Sequence, residues 1–451
     1  AEADRRHIMS AIRRAKRRNP TISDSIFDFI ASVLLLEHPG EIGEAERAER
    51  GEFVARFQQF TSPVMAKGFE DTALYRYYPL AALNEVGGEP DAFGIGLEAF
   101  HEWNRARMAQ WPGAMSASST HDTKRGEDTR ARIQALSEIP DQWEQAIKRW
   151  YRMNAGARKQ LEDSEVPDPN EEYLLYQTLV GMWPAGSIEP AQRKILIERV
   201  QAYMDKAVKE AKVHTSWMNL NEEHDHALRE FLGAILRDGS EFLDDLTRFL
   251  PRIVRAGMLN ALSQTLLKIA SPGVPDFYQG SELWTLNLVD PDNRRPVDYG
   301  CRRAMLAKIR EITPADSVAG VRHLLKDIGS GAIKLYLIHR AMAFRRANPE
   351  LFERGEYLPL KVSGPRANHV IAFAREHEGR RVIVACGRFF SRLPESPPLP
   401  VDPQVWKDTF IELDADFDAT EILSGRAISS GAGRIRMDEA FSLMPVAILQ
   451  G

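Results

Sequence analysis

The sequence predicts an α/β chain: strand-and-helix segments lie on either side of a long helical stretch, and a small all-β domain follows. Three observations predict it. Residues 127–270 carry apolar side chains at helical spacing almost throughout. Two stretches, 114–123 (AMSASSTHDT) and 265–280 (TLLKIASPGVPDFYQG), change into polar or turn residues as a short strand does where it meets a loop. Beyond Glu356 the segments HVIAFARE, RRVIVACGRFF, WKDTFIEL and PVAILQG alternate or run β-branched between turn signals. Composition agrees, since 451 residues at 43% apolar and 27% charged are ordinary for a folded protein with a large core.

The elements follow in order. Residues 1–60 read as helical, with Ile8, Met9 and Ile12 facing inward. The basic cluster Arg5, Arg6, Arg13, Arg14, Lys16, Arg17 and Arg18 is then a solvated face. Thr21 to Asp24 is a capping stretch before Ile26, Phe27, Phe29, Ile30, Val33 and Leu34. Pro39-Gly40 stops that helix, and another runs from Glu44 to Phe60. Residues 61–93 show no clean period, which suggests a buried strand leading into a structured loop. A strand ends at His121-Asp122, and a helix follows from about Glu127. The loop 161–172 is acidic and expected to be exposed. Ile188-Glu189-Pro190 opens a helix towards Lys212, Glu222 to Leu236 forms the next, and Leu243 to Ile269 reads as a long one interrupted at Pro251. A helix from Arg302 leads to another that ends near Asn348, and Pro394 to Pro403 is a Pro-rich surface loop.

Several function classes lose support. With 59 Lys+Arg against 64 Asp+Glu the net charge is −5, so no nucleic-acid or anionic-membrane partner is expected. No apolar run of about 18 residues suggests a membrane span. Cys301 and Cys386 form neither a zinc ribbon nor a disulfide framework, and a reducing, cytoplasmic compartment is the simpler reading. There is no P-loop and no Gly-x-Ser-x-Gly elbow, and Gly94-Ile95-Gly96 reads as a turn. His224-Asp225-His226 is expected on a solvated helix face, because residues two apart on a helix diverge. His101-Glu102 is likewise expected to face solvent. No metal and no cofactor is expected.

Three clusters remain. Lys67, Glu70, Asp71, Tyr75, Arg76, Tyr77 and Tyr78 mix carboxylates, cations and phenols. That mix suits polyhydroxyl ligands, and equally a buried ion-pair network. His121, Asp122, Lys124, Arg125, Glu127 and Asp128 lie where a strand meets a loop, the position at which barrel enzymes carry functional groups. PGVPDFYQGSEL turns a strand into a loop near Tyr278 and Gln279. Trp217 reads as a core residue of the helical stretch that could otherwise stack on a sugar.

Taken together these clusters resemble a known family. SSTHD is similar to the His-Asp signature after the seventh barrel strand of the α-amylase clan of glycoside hydrolases and transferases. GVPDFYQGSEL is similar to the Gly-x-Pro…Tyr-x-Gly-x-Glu stretch after the eighth strand, and DNRRPVDY to the Arg-Arg-Pro loop beyond it. Within that clan PVMAKGFEDTALYRY, LNEVGGEP, WPGAMSASSTHDTKRGEDTRARI, HTSWMN and FRRANPELFERGEY resemble the maltooligosyl trehalose synthases, in order from residue 63 to residue 357.

The resemblance implies part of a (β/α)8 barrel with a large helical insertion, followed by a small all-β sandwich. Residues 1–128 would be the C-terminal part of the barrel with helical segments, and 129–262 the insertion. Residues 263–355 would hold the last barrel strand and its helices, and 356–451 the sandwich. It implies an intramolecular transglycosylation that turns the reducing-end α-1,4 bond of a maltooligosaccharide into an α,α-1,1 bond, in trehalose biosynthesis. Asp122 matches the clan's third carboxylate, the transition-state stabiliser, and His121 its neighbour on the same sugar. Lys67, Glu70, Asp71, Lys124 and Arg125 fall to the reducing-end pocket, and Tyr278 and Gln279 to the cleft wall. The clan's nucleophilic Asp and acid/base Glu lie on earlier strands that find no match here. About three barrel strands fit this chain where eight are needed. It is therefore expected to be a C-terminal portion, inactive alone, whose partners are the maltooligosaccharide and the upstream part of the same polypeptide. Two alternatives stay open: another α-glucan-active hydrolase or glucosyltransferase of the clan, or a non-catalytic glucan-binding chain.

Overall fold

Helical spacing in the first 68 residues produces three helices in the computed structural model, α1 (Glu2–Arg18), α2 (Asp24–Leu34) and α3 (Glu44–Gly68). The structure describes residues 2–37, 40, 42–162, 164–186, 188–394 and 400–451, so Pro39 of the expected helix stop lies outside them. The chain divides into two units, residues 1–73 and 74–451. In the first, Ile12, Phe27 and Ala31 form a small core with Ile8, Met9 and Ala15 against it, and the arginines of α1 are exposed. The strand expected after residue 60 is absent there, because α3 continues to Gly68 with Pro63 inside it. Val64 and Met65 of this last stretch are exposed, so it has no inward-facing period to read.

The second unit opens with α4 (Leu97–Gln110), β1 (Met115–Ala117), α5 (Glu127–Ala135) and α6 (Pro140–Met153). The short strands β2 (Lys159–Gln160) and β3 (Glu165–Val166) pair antiparallel. Then come α7 (Pro169–Met182), α8 (Pro190–Ala211), α9 (Glu222–Ile235) and α10 (Glu241–Ala270). The loop 161–172 is not simply exposed: Val166 is fully buried, and Asp168 caps α7 by accepting from Asn170 N and Glu171 N. Nor does Pro251 interrupt α10. Its ring is exposed, while Leu246, Leu250, Ile253 and Leu259 on either side of it are buried, and that burial holds the helix together across a missing N–H. Trp150 sits at the centre of this body, edge-on to Tyr176, Phe242 and Phe249.

Two close approaches fix α5. A Cβ on Gly181 of α7 would lie 2.8 Å from Thr129 Cγ2, and one on Gly257 of α10 would lie 2.4 Å from Arg132 Cγ. Only glycine lets both helices come this near. The helix that follows His121-Asp122 is thus clamped on two sides.

After α10, β4 (Val274–Asp276) pairs parallel with β1, with Met115 opposite Val274 and Ala117 opposite Asp276. Among the described residues these are the parallel strands, and no closed barrel is formed. Helices α11 (Tyr299–Arg310), α12 (Ser317–Lys326), α13 (Ala332–Ala347) and α14 (Pro349–Glu353) lead to the β-rich region. There β5 (Glu356–Pro359), β6 (Val362–Ser363), β7 (Val370–His377), β8 (Arg380–Gly387), β9 (Phe410–Glu412), β10 (Asp418–Glu421), β11 (Ala427–Ser429), β12 (Arg434–Arg436), helix α15 (Met437–Ala440) and β13 (Val446–Gln450) complete the chain. They form a six-stranded antiparallel sheet, β11-β10-β13-β8-β7-β5, and a three-stranded one, β12-β9-β6.

His101 departs from expectation. It is 6% exposed, and its Nδ1 lies 2.8 Å from the Tyr357 hydroxyl, because α4 packs on β5. Of the Pro-rich loop, residues 395–399 lie outside the described residues, and Val401 at its end is buried. Cys301 is exposed, Cys386 is buried, and neither is in a disulfide. Among the described residues no helix is long and apolar enough to cross a membrane.

Candidate functional site

Because β1 and β4 run parallel, the loops that follow them leave from the same end of the pair. The first loop makes a tight turn: Thr123 Oγ1 donates to Thr120 O (3.0 Å), and Asp122 N donates to Thr120 Oγ1 (3.2 Å). This folds residues 120–123 back on themselves and leaves His121 and Asp122 exposed at the tip.

The turn is held from two directions. On one side the Glu85 carboxylate accepts from Lys124 N (2.6 Å), Arg125 N (3.2 Å) and the Arg130 guanidinium (2.9 Å). On the other, the Asn293 side-chain amide donates to His121 O (3.0 Å), and the Tyr278 hydroxyl donates to Asn293 O (3.1 Å). Asn293 thereby joins the loop after β1 to the loop after β4. Gln279 is exposed and lines a cavity of about 450 Å³ with Trp284, Asn293, Arg295 and Arg302. An aromatic ring among amide and guanidinium groups suits a polyhydroxyl ligand. Asp122 is not part of that cavity wall.

Two of the other expected site residues are buried. Arg125 is 3% exposed and committed inside the protein, where it donates to Ala81 O (3.1 Å) and the Tyr203 hydroxyl (2.6 Å). Lys124 is also buried, with Nζ 5.7 Å from the Tyr75 ring centre. Lys67, Glu70 and Asp71 belong to the unit 1–73, in which Lys67 pairs with Asp71 at 2.6 Å. Trp217 is no core residue: it is 56% exposed, with the Lys209 ammonium 5.3 Å from its ring centre.

Directly after the turn, α5 begins with two buried carboxylates. Lys334, fully buried, bonds Glu127 Oε1 (2.7 Å) and Asp128 Oδ1 (2.9 Å), and Lys268 lies 3.4 Å from Glu127 Oε2. Burial alone would raise the Glu127 carboxyl, but Lys334 and Lys268 hold it down to about 2. Burial pushes Asp128 up, against the pull of Lys334. Neither residue reaches the surface, so this network is a foundation for the turn.

Sequence reasoning did not single out Glu85, Asn293, Lys268 or Lys334. Glu85 and Asn293 do lie in two of the family-like segments, LNEVGGEP and DNRRPVDY, which was the signal available. The solvated face expected for His224-Asp225-His226 is also corrected. Asn221 caps α9 by accepting from His224 N (3.1 Å), which turns His224 and Asp225 inward to 1% and 5% exposure and leaves His226 outside.

Comparison with known proteins adds to this geometry. No family model matches the chain. Putative maltooligosyl trehalose synthases from two strains of Mycobacterium tuberculosis, CDC 1551 / Oshkosh and ATCC 25618 / H37Rv, are 37% identical to it over 403 residues, which is 89% of this chain and 46% of theirs. The structure of maltooligosyltrehalose synthase from Arthrobacter ramosus superposes with a TM-score of 0.75 at 32% identity, covering 99% of this chain and 51% of that one. A mutant of the same synthase gives 0.77 at the same identity and coverage. The chain spans about half the length of the curated relatives it matches. Over 89% of its length, then, this chain is a homologue of roughly half of a maltooligosyl trehalose synthase.

Proposed function

We propose that the chain is the C-terminal portion of a maltooligosyl trehalose synthase, and that it supplies one of the three carboxylates of the reaction, Asp122. The observation that carries this reading is the 37% identity sustained over 403 residues. The exposed Asp122, on a turn fixed by Glu85 and Asn293, is consistent with the role.

The substrate would be a maltooligosaccharide, rearranged at its reducing end by retaining double displacement within part of a (β/α)8 barrel. A carboxylate attacks C1 of the penultimate glucose, and the C1–O4 bond breaks as an acid gives its proton to O4. The released glucose turns, its O1 attacks the same C1 while giving its proton back to the residue that protonated O4, and the carboxylate leaves as the α,α-1,1 bond forms. Asp122 stabilises the cationic transition state and, with His121, holds ring hydroxyls. Tyr278 and Gln279 line the cleft. Lys67, Glu70 and Asp71 serve the reducing-end pocket, from which water must be kept or hydrolysis competes. Lys124 and Arg125, being buried, support the turn instead of touching sugar. Nucleophile and acid/base come from the upstream part of the polypeptide, so the chain alone performs no double displacement.

A reducing-end assay with maltopentaose tests this on the 451-residue chain and on the longer protein in parallel. Loss of reducing ends without release of glucose, in the longer protein only, is the expected result. Release of glucose or maltose without that loss would make the protein a hydrolase. Activity of the chain alone would place all three carboxylates within it, and Glu70 and Asp71 would then be the first to substitute.

A further inference from the structure

We propose that Glu171, His214 and His224 form a site for a single divalent cation of the zinc type. The three residues come from separate elements: Glu171 from the first turn of α7, His214 from the segment between α8 and α9, and His224 from the first turn of α9. One donor atom from each lies within 4.8 Å of the other two. Two imidazoles and a carboxylate are a donor set that zinc takes readily, with ligand bonds of about 2.0–2.2 Å. Small shifts of the three side chains would bring the donors to that distance.

The group is more than residues that happen to be near one another. His224 is 1% exposed, and neither of its ring nitrogens makes an aligned hydrogen bond. Its Nε2 lies 3.2 Å from Glu171 Oε1 and its Nδ1 lies 3.8 Å from Asp225 Oδ1, close enough for charge attraction but outside hydrogen-bond geometry. A buried imidazole so placed is costly unless something else takes its lone pair. The two imidazoles stack with centroids 5.1 Å apart at 22°. Asp168 Oδ2 lies 2.9 Å from His214 Nε2, and with an ion on Nδ1 this is the carboxylate–histidine arrangement that fixes the ring of a metal ligand. Glu171 is held in turn, since its Oε2 accepts from Asp168 N (3.0 Å). A cavity of about 20 Å³, lined in part by Asp168, Glu171 and Val213 but by neither histidine, adjoins the group on the Glu171 side.

Electrostatics weighs both ways. The N-terminal ends of α7 and α9 disfavour a cation. Against that stand the carboxylates of Asp168, Glu171 and Asp225, of which Asp225 already holds Lys209 at 3.1 Å. A bound ion would tie α7 and α9 to the segment between them, which carries the exposed Trp217. The site is therefore structural, a clasp on that segment.

Cobalt(II) and zinc(II) chlorides are the probes, added to the chelator-stripped chain. The expected result is one equivalent of cobalt taken up with a visible d–d absorption, displaced by zinc, and a melting temperature raised by either ion. Asp168→Asn should weaken binding about 10–100-fold. His214→Gln and His224→Gln should abolish it, and His226→Ala, altered on the solvent side of α9, should leave it intact. If His224→Gln does not fold, the half-buried His214 decides the point. Failure of the stripped wild-type chain to take up a stoichiometric ion, or uptake that survives both histidine substitutions, would overturn the proposal and leave a stacked histidine pair among carboxylates.

Discussion

Asp122 stands exposed at the tip of a turn that Glu85 and Asn293 hold in place. Because its side chain is not part of the packing, Asp122→Asn in the longer protein should lower kcat about 10²–10³-fold, the usual loss when one transition-state contact is removed. Its melting temperature should stay unchanged, and steady-state kinetics beside calorimetry would check both. Asn293→Ala should behave differently. It removes the bridge between two loops, so stability should fall by about 1 kcal/mol and kcat should drop several-fold with little change in KM. Equal loss of kcat in the two variants would mean that Asn293 touches sugar itself. Glu127 carries the pH dependence. Its folded pKa lies near 2, below the ordinary 4.5, so its contribution to stability is complete above about pH 4.5 and is lost as pH falls towards 2. Urea melts across that range should show a shallower acid decline in Glu127→Gln than in wild type. Asp122 was legible in the sequence because its motif is local. Asn293 was not, since it reaches back 172 residues to His121 O.

Helix α5 is where sequence and packing meet most tightly. Glycine lowers helix propensity by about 1 kcal/mol against alanine, so Gly257→Ala looks favourable on sequence grounds alone. Yet the added Cβ would meet Arg132 Cγ at 2.4 Å and Arg132 Cα at 2.9 Å, and backbone cannot step aside cheaply. Overpacking of this kind costs about 1–3 kcal/mol, so the variant should be less stable in urea unfolding. Pro251→Ala is the opposite case. The ring is exposed in an unbroken helix, and the substitution restores an N–H donor to the turn, so stability should rise by up to about 3 kcal/mol. A lower urea midpoint would show that Pro251 fits a bend in α10 that alanine cannot keep. Helices α6, α8 and α9 were legible because each buries one face with a regular period, whereas α5 and α7 are buried on nearly every side. The extension of α3 to Gly68 and the burial of His101 were not legible. The first has exposed apolar residues in its last turns, and the second depends on Tyr357, 256 residues away.

At the scale of the molecule, the β-rich end reads from sequence as a domain of its own; the segments read as strands there hold β7, β8, β9 and β13, while the short β5, β6, β10, β11 and β12 were not singled out. What alternation could not convey is how firmly the helical body grips it. Arg252 Nε donates to Ser391 O (2.6 Å), Ser263 Oγ to Gly387 O (2.8 Å), and the buried Arg375 of β7 to Phe352 O and Gly355 O (2.8 Å each). From the helical side, Glu138 Oε2 accepts from Ser391 N (2.7 Å) and Ser391 Oγ (2.8 Å), although the two residues are 253 positions apart. Trp150 and Trp406 belong to one continuous apolar core. Arginines paired with backbone carbonyls across a largely buried boundary leave unpaired charge and unpaired carbonyls if the two sides part, at about 1–3 kcal/mol for each group. The helical body and the sheets of residues 74–451 should therefore unfold together. Calorimetry should give one transition for them, with the van't Hoff enthalpy matching the calorimetric one. Cutting the chain after Gly355 should destabilise the helical body instead of freeing it. Two well-separated transitions within 74–451, or a stable and cooperative helical body after the cut, would show that the β-rich end folds on its own and that these arginines contribute little.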